Sequence, residues 1–98
     1  IYLSDVSTND GPHVFIPGSH KYKNKSHLIV KRYSDEEIYS SYDSKVEFTG
    51  KKGKIFFEDT FGFHKGEEPK NKCRVALVVE YGNDNIKYDE SYLLNKFN

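Results

Sequence analysis

The sequence predicts a mainly β domain, and three observations carry that prediction. Apolar and aromatic residues recur in short alternating runs, turns rich in Gly, Pro, Asn and Asp separate the runs, and a single segment carries a helix-start signature. Short strands at this spacing, with one helical excursion, suit an antiparallel sandwich or barrel better than an alternating β/α architecture. At 98 residues the chain makes one small domain.

Residues 1–6 (IYLSDV) form the first strand candidate. The turn formers of residues 7–12, with Asp10-Gly11 at their centre, predict a reversal. Residues 13–16 (HVFI) read as a second strand, closed by Pro17-Gly18, where proline removes a ladder donor and glycine permits positive φ. The lysine-rich residues 19–26 read as an exposed loop, and the sequon-like Asn24-Lys25-Ser26 within it as a chance match. Ser34-Asp35-Glu36-Glu37 has the capping-box form, with acidic side chains where the helix dipole favours them, and predicts a short helix to about Tyr42. Residues 46–49 and 54–58 alternate at period two around Gly50-Lys51-Lys52-Gly53 and read as a hairpin. Residues 73–81, apolar throughout from Val75 to Val79, read as a strand buried on both faces, and a short helix is expected around Tyr92-Leu93-Leu94.

Fifteen Lys and Arg balance fifteen Asp and Glu, so no global basic field draws the chain to nucleic acid or to an anionic membrane. Eight Tyr and seven Phe argue for a folded chain despite 31% charged residues. The lone Cys73 makes neither an internal disulfide nor a thiolate zinc site, which favours a reducing, cytoplasmic setting. No apolar run approaches the roughly 20 residues of a membrane span. There is no Met, and the chain opens directly on Ile1-Tyr2-Leu3, so the 98 residues are expected to be part of a longer protein.

Two residues stand out for chemistry. His64 lies between Gly62 and Gly66, where the backbone can bend and present a ring, either as a turn histidine with one hydrogen bond or as a ligand. Arg74 is one of two arginines and opens the most apolar segment. A guanidinium there requires a carboxylate: Glu58 or Asp59 in a structural ion pair, or the carboxylate of a bound ligand held by two parallel hydrogen bonds. The sequence leaves both open. Ten positions and a polar turn around Pro69-Lys70-Asn71 separate the two residues, so adjacent strands can bring both to one pocket.

Three blocks occur in order along the chain: Tyr2-Leu3-Ser4-Asp5-Val6, then Asp10-Gly11-Pro12-His13-Val14-Phe15-Ile16-Pro17-Gly18-Ser19-His20-Lys21, then Gly53-Lys54-Ile55-Phe56-Phe57-Glu58-Asp59-Thr60 leading into His64-Lys65-Gly66 and Arg74. Together they resemble the C-terminal half of the phytanoyl-CoA dioxygenase family, over most of residues 1–82. The resemblance implies a double-stranded β-helix, a jelly-roll and cupin relative, of which residues 1–98 are the C-terminal part. It implies a non-haem oxygenase using Fe(II), 2-oxoglutarate and molecular oxygen to hydroxylate a small organic substrate. It also implies that His64 is the distal iron ligand and that Arg74 binds the 2-oxoglutarate carboxylate. The loop after Gly18 and the helix from Ser34 are then expected at the substrate mouth, with His20 a weak candidate for the pocket rim.

The departures are specific. The family's His-x-Asp, source of the other two iron ligands, is absent: His13 leads to Phe15, His20 to Tyr22, His27 to Ile29 and His64 to Gly66. Ala76 stands where related oxygenases sometimes carry serine. A facial set needs two histidines and a carboxylate, so these 98 residues alone are expected to bind iron weakly and not to turn over. Two rival readings follow, a non-catalytic jelly-roll binding module and a degenerate oxygenase without iron. Of the remaining residues, His13 reads as a satisfied strand residue, His27 follows the polar loop with nothing nearby in sequence to activate it, and Cys73 reads as a small buried hydrophobe. Lys51-Lys52-Gly53-Lys54 fails phosphate-loop spacing and reads as a solvated turn.

Overall fold

The computed structural model describes residues 1–29 and 31–82. Their regular structure is mainly β, arranged around one short central strand. The reversal expected at Asp10-Gly11 is a single 3-10 turn, Thr8–Asp10, in which the Asp10 carboxylate accepts from the Ser7 amide at 2.9 Å and the Ser7 hydroxyl at 2.6 Å. Gly11 closes it at φ 70, and a Cβ there would lie 2.6 Å from the Glu67 carbonyl oxygen. Conformation and space both require glycine at this point.

The chain then enters β1 (His13–Phe15), the middle of a three-stranded antiparallel sheet with β2 (Val46–Phe48) on one side and β3 (His64–Gly66) on the other. His13 pairs with Phe48 and Gly66, Val14 with Glu47 and Lys65, and Phe15 with Val46 and His64. Directly opposed residues share a face and successive residues alternate. One face therefore carries His13, Phe15, Phe48, His64 and Gly66, and the other Val14, Glu47 and Lys65.

The helix appears as α1 (Asp35–Tyr39), capped as the sequence requires. Ser34 Oγ accepts from the Glu37 amide at 3.2 Å, and Glu37 Oε2 accepts from the Ser34 amide at 2.8 Å. The amides of Ser41 and Tyr42 still reach the Ile38 carbonyl, so the last turn ends where the sequence places it. Asp35 takes the Lys65 ammonium at 2.8 Å, which seats α1 on the Val14 side of the sheet, where Val14, Ile16 and Ile38 are buried. On the opposite side, the Tyr2 ring is only 1% exposed and its hydroxyl accepts from the His13 amide while donating to the Phe48 carbonyl. A buried tyrosine with its polar tip satisfied ties β1 to β2.

Several sequence expectations are corrected. Residues 1–6 pair only through isolated bridges, Tyr2 with Ala76 and Val6 with Gly50, because the chain bends between them and Asp5 turns to hold the Lys52 amide. The turn at residues 50–53 forms, but its arms do not pair as a hairpin. β2 takes β1 as its partner, and residue 54 leaves through a hydrogen bond from the Tyr2 amide to the Lys54 carbonyl. Residues 73–81 are not buried on both faces: Val75 is 52%, Leu77 48% and Val78 75% exposed. They lie along residues 1–3 and no described element covers them. Cys73 is likewise exposed and not a core hydrophobe. Ser19, assigned to an exposed loop, is fully buried, its hydroxyl donating to the Ile16 carbonyl and accepting from the Phe63 amide. The helix expected around Tyr92-Leu93-Leu94 lies outside the described residues. No described helix is long and apolar enough to cross a membrane.

Candidate functional site

The pairing of β3 with β1 gathers the chemistry onto one face. His64 sits opposite Phe15, and His13, two residues back along β1, lies diagonally across from it. The two imidazoles stack with centroids 5.8 Å apart and planes inclined by 30°. His64 Nδ1 is 2.8 Å from the Gly62 carbonyl oxygen, and a carbonyl only accepts, so Nδ1 carries the proton. The neutral ring then offers the lone pair of Nε2, which has no hydrogen-bond partner among the described residues. This is how a metal-ligating histidine is prepared, with the far nitrogen fixed by a backbone carbonyl.

Arg74 reaches the same cluster. Its Nη1 donates to the Gly11 carbonyl at 2.6 Å, and its Nη2 occupies the space that the missing side chain of Gly66 leaves open. Neither carboxylate that the sequence offered as a partner pairs with it. Glu58 binds His13 Nε2 at 2.7 Å, and Asp59 Oδ1 accepts from the Phe61 amide to hold the turn into Gly62. The half-buried guanidinium thus makes no ion pair among the described residues and keeps donors for an outside acceptor.

His13 is more than a satisfied strand residue. Its side chain and that of Glu58 are 17% and 16% exposed. Burial pushes the His13 pKa below its ordinary value, the Glu58 hydrogen bond and charge oppose that shift, and nearby His64 and Arg74 add to it. A neutral His13 donates Nε2–H to the Glu58 carboxylate. Sequence reasoning missed this pair because 45 positions separate its members. The one local signal was that His13 alternates with Phe15, which puts both on one face.

The remaining candidates are placed as follows. His20 lies beside Phe15, with ring centroids 6.3 Å apart, and its Nδ1 is buried without a hydrogen-bond partner. His27, just after the polar loop, is buried among Tyr33, Tyr42 and Phe63. Helix α1 lies on the sheet face opposite the His13 and His64 rings and is not the cover over them. Between α1 and the sheet runs a cleft of about 590 Å³ whose lining includes Val14, Ile38, His64 and Gly66. A wider hollow of about 820 Å³, lined by Asp5, Asp10 and Lys72, holds none of the clustered residues.

No three His, Cys, Asp or Glu side chains among the described residues are disposed to hold a metal ion. His64 is a suitable single ligand, and Glu58 is committed to His13. No curated protein and no solved structure matches the chain at a significant level. The family model for phytanoyl-CoA dioxygenase matches residues 1–75, a span that contains His13, Glu58, His64, Gly66 and Arg74. On that match, over more than half of its length, the chain belongs to the phytanoyl-CoA dioxygenase family.

Proposed function

We propose that the chain is the C-terminal part of a double-stranded β-helix dioxygenase dependent on Fe(II) and 2-oxoglutarate, which hydroxylates a small organic molecule. The observation that carries this reading is the Arg74 guanidinium near His64, which makes no ion pair among the described residues. Both structural carboxylate partners are engaged elsewhere, while Gly66 leaves the fork room to lie across β3. Two parallel hydrogen bonds to a carboxylate are what such a fork makes best. In this reading Arg74 binds and orients the 2-oxoglutarate carboxylate, and the Gly62 carbonyl keeps the His64 Nε2 lone pair available to iron. The other two ligands come from a His-x-Asp outside these 98 residues. Iron and 2-oxoglutarate supply oxygen activation coupled to decarboxylation to succinate.

Calorimetric titration with 2-oxoglutarate tests the reading. The native chain is expected to bind, and Arg74→Ala to weaken binding at least tenfold. Arg74→Lys should recover little, because an ammonium lacks the fork. Equal binding by native and Arg74→Ala proteins would overturn the assignment. In the iron-loaded holoenzyme, His64→Ala should abolish 2-oxoglutarate turnover, whereas Arg74→Ala should chiefly raise the 2-oxoglutarate requirement. The second reading is a degenerate family member that binds 2-oxoglutarate without iron. Co-substrate binding that persists in a holoprotein unable to bind Mn(II) or Fe(II) identifies it.

A further inference from the structure

We propose that Glu58 and His13 form a positioning pair for His64: Glu58 fixes the His13 ring, and that ring fixes the plane of the His64 imidazole. The inference rests on the dioxygenase reading for its purpose, but its geometry is independent of iron. A hydrogen bond from Nδ1 to the Gly62 carbonyl sets the tautomer of His64 only while the ring faces that carbonyl, and rotation about Cβ–Cγ breaks it. His64 is exposed on an edge strand three residues long, so its own strand gives its ring little support. A flat surface beside it is needed.

That surface is the end of a stack running across the sheet. Phe48 stacks on Phe56 at 4.4 Å with planes 12° apart, Phe56 on His13 at 5.4 Å and 29°, and His13 on His64 at 5.8 Å and 30°. Phe48 is also the residue directly opposite His13 on β2, so the sheet register builds the stack. An imidazole within such a stack can still flip about its Cβ–Cγ bond, which exchanges its two nitrogens. The 2.7 Å contact from Nε2 to Glu58 removes that freedom and gives the half-buried carboxylate its partner. A ligand must be held within about 10–20° of its working orientation, and here that precision comes from residues that need not touch a metal. Both act through His64 and are therefore positioning residues.

Long-range nitrogen–proton correlation spectra of the labelled chain test this, since they read the tautomer of each imidazole. Native His64 is expected as a single Nδ1–H tautomer. His13→Phe keeps a flat ring in the stack and should preserve that pattern, whereas His13→Leu fills the space without a flat face and should average it. Glu58→Ala should average it as well, and Glu58→Gln, which still bonds His13, should restore it. His27, packed on the other side of Phe63, reports folding: its cross-peaks stay in place if only His64 has been released. A His64 pattern unchanged in both His13→Leu and Glu58→Ala overturns the proposal, as does loss of the pattern in His13→Phe while His27 is unmoved. If Glu58→Ala unfolds, the two His13 variants decide the matter. Turnover in the iron-loaded holoenzyme separates this result from the iron reading. 2-Oxoglutarate turnover retained by His64→Ala counts against iron ligation and leaves the positioning result intact.

Discussion

A Cβ built on Gly66 would lie 2.5 Å from Arg74 Nη2, and no unusual backbone angle accounts for glycine at that position. Glycine is there to let the guanidinium cross β3. Because the colliding atom is the tip of a flexible side chain, Gly66→Ala should cost little stability, yet it should push Arg74 from the Gly11 carbonyl. Its 2-oxoglutarate affinity, measured by calorimetry, should fall towards that of Arg74→Ala. Ser19 behaves in the opposite way. Its hydroxyl is fully buried and bonds both Ile16 and Phe63, joining the end of β1 to the entry of β3. Ser19→Ala leaves the Phe63 amide without its partner, so a loss of about 1–3 kcal/mol is expected from urea unfolding. The serine of the Pro-Gly-Ser-His block therefore has a structural task, next to a histidine whose buried Nδ1 has no hydrogen-bond partner.

Among the elements, α1 is too short to persist through propensity alone and depends on its first turn. Glu37 has its pKa drawn from an ordinary 4.5 to about 2, chiefly by the Ser34 amide and next by Lys31. A carboxylate depressed in the folded state contributes stability that is complete above its unfolded value and is lost as pH falls through the folded one. Acid titration followed by the helical signal of α1 should therefore show a loss that begins below about 4.5 and completes near 2. Glu37→Gln should remove that transition and not move it. Ser34→Ala removes the other half of the reciprocal cap and should cost about 1 kcal/mol of helix stability. Neither change reaches the His64 face of the sheet, so 2-oxoglutarate binding should be unaffected by both.

For the molecule as a whole, the governing fact is the distribution of apolar surface. Among the described residues Tyr2, Val6, Val14, Ile16 and Ile38 are the buried hydrophobic ones, while Leu77, Val78 and Val79 remain about half exposed or more, with Ile55 and Phe57 also open. Residues 75–77 are bonded along one side to residues 1–3, through the Leu3 amide to Val75 and the Leu77 amide to Ile1. An extended segment with apolar side chains and an edge that no described element covers favours association. Sedimentation velocity of the isolated chain should show concentration-dependent self-association, and Val78→Lys together with Val79→Lys should suppress it. A concentration-independent monomer would show that this surface is tolerated in water.

The sequence by itself determined what local rules govern: the mainly β class, the reversal at Asp10-Gly11, the strand at His13, the cap at Ser34 and the turn before Lys54. Each depends on residues within a few positions of one another. It also carried the family, since the matched residues include His64 and Arg74 in order. Tertiary structure alone decided the partners. Nothing local says that β2 joins β1 and not the strand-like run after Gly53, because both choices satisfy the same alternation and only the Tyr2 hydroxyl between β1 and β2 distinguishes them. Burial of residues 73–81 was equally illegible, as an apolar run states what it can cover but not whether a neighbour covers it. The pairing of His13 with Glu58 exists only once the folded chain brings positions 45 residues apart together. Hydrogen bonds between distant positions are set by how the chain packs, and that packing is what turns a strand histidine into part of the site.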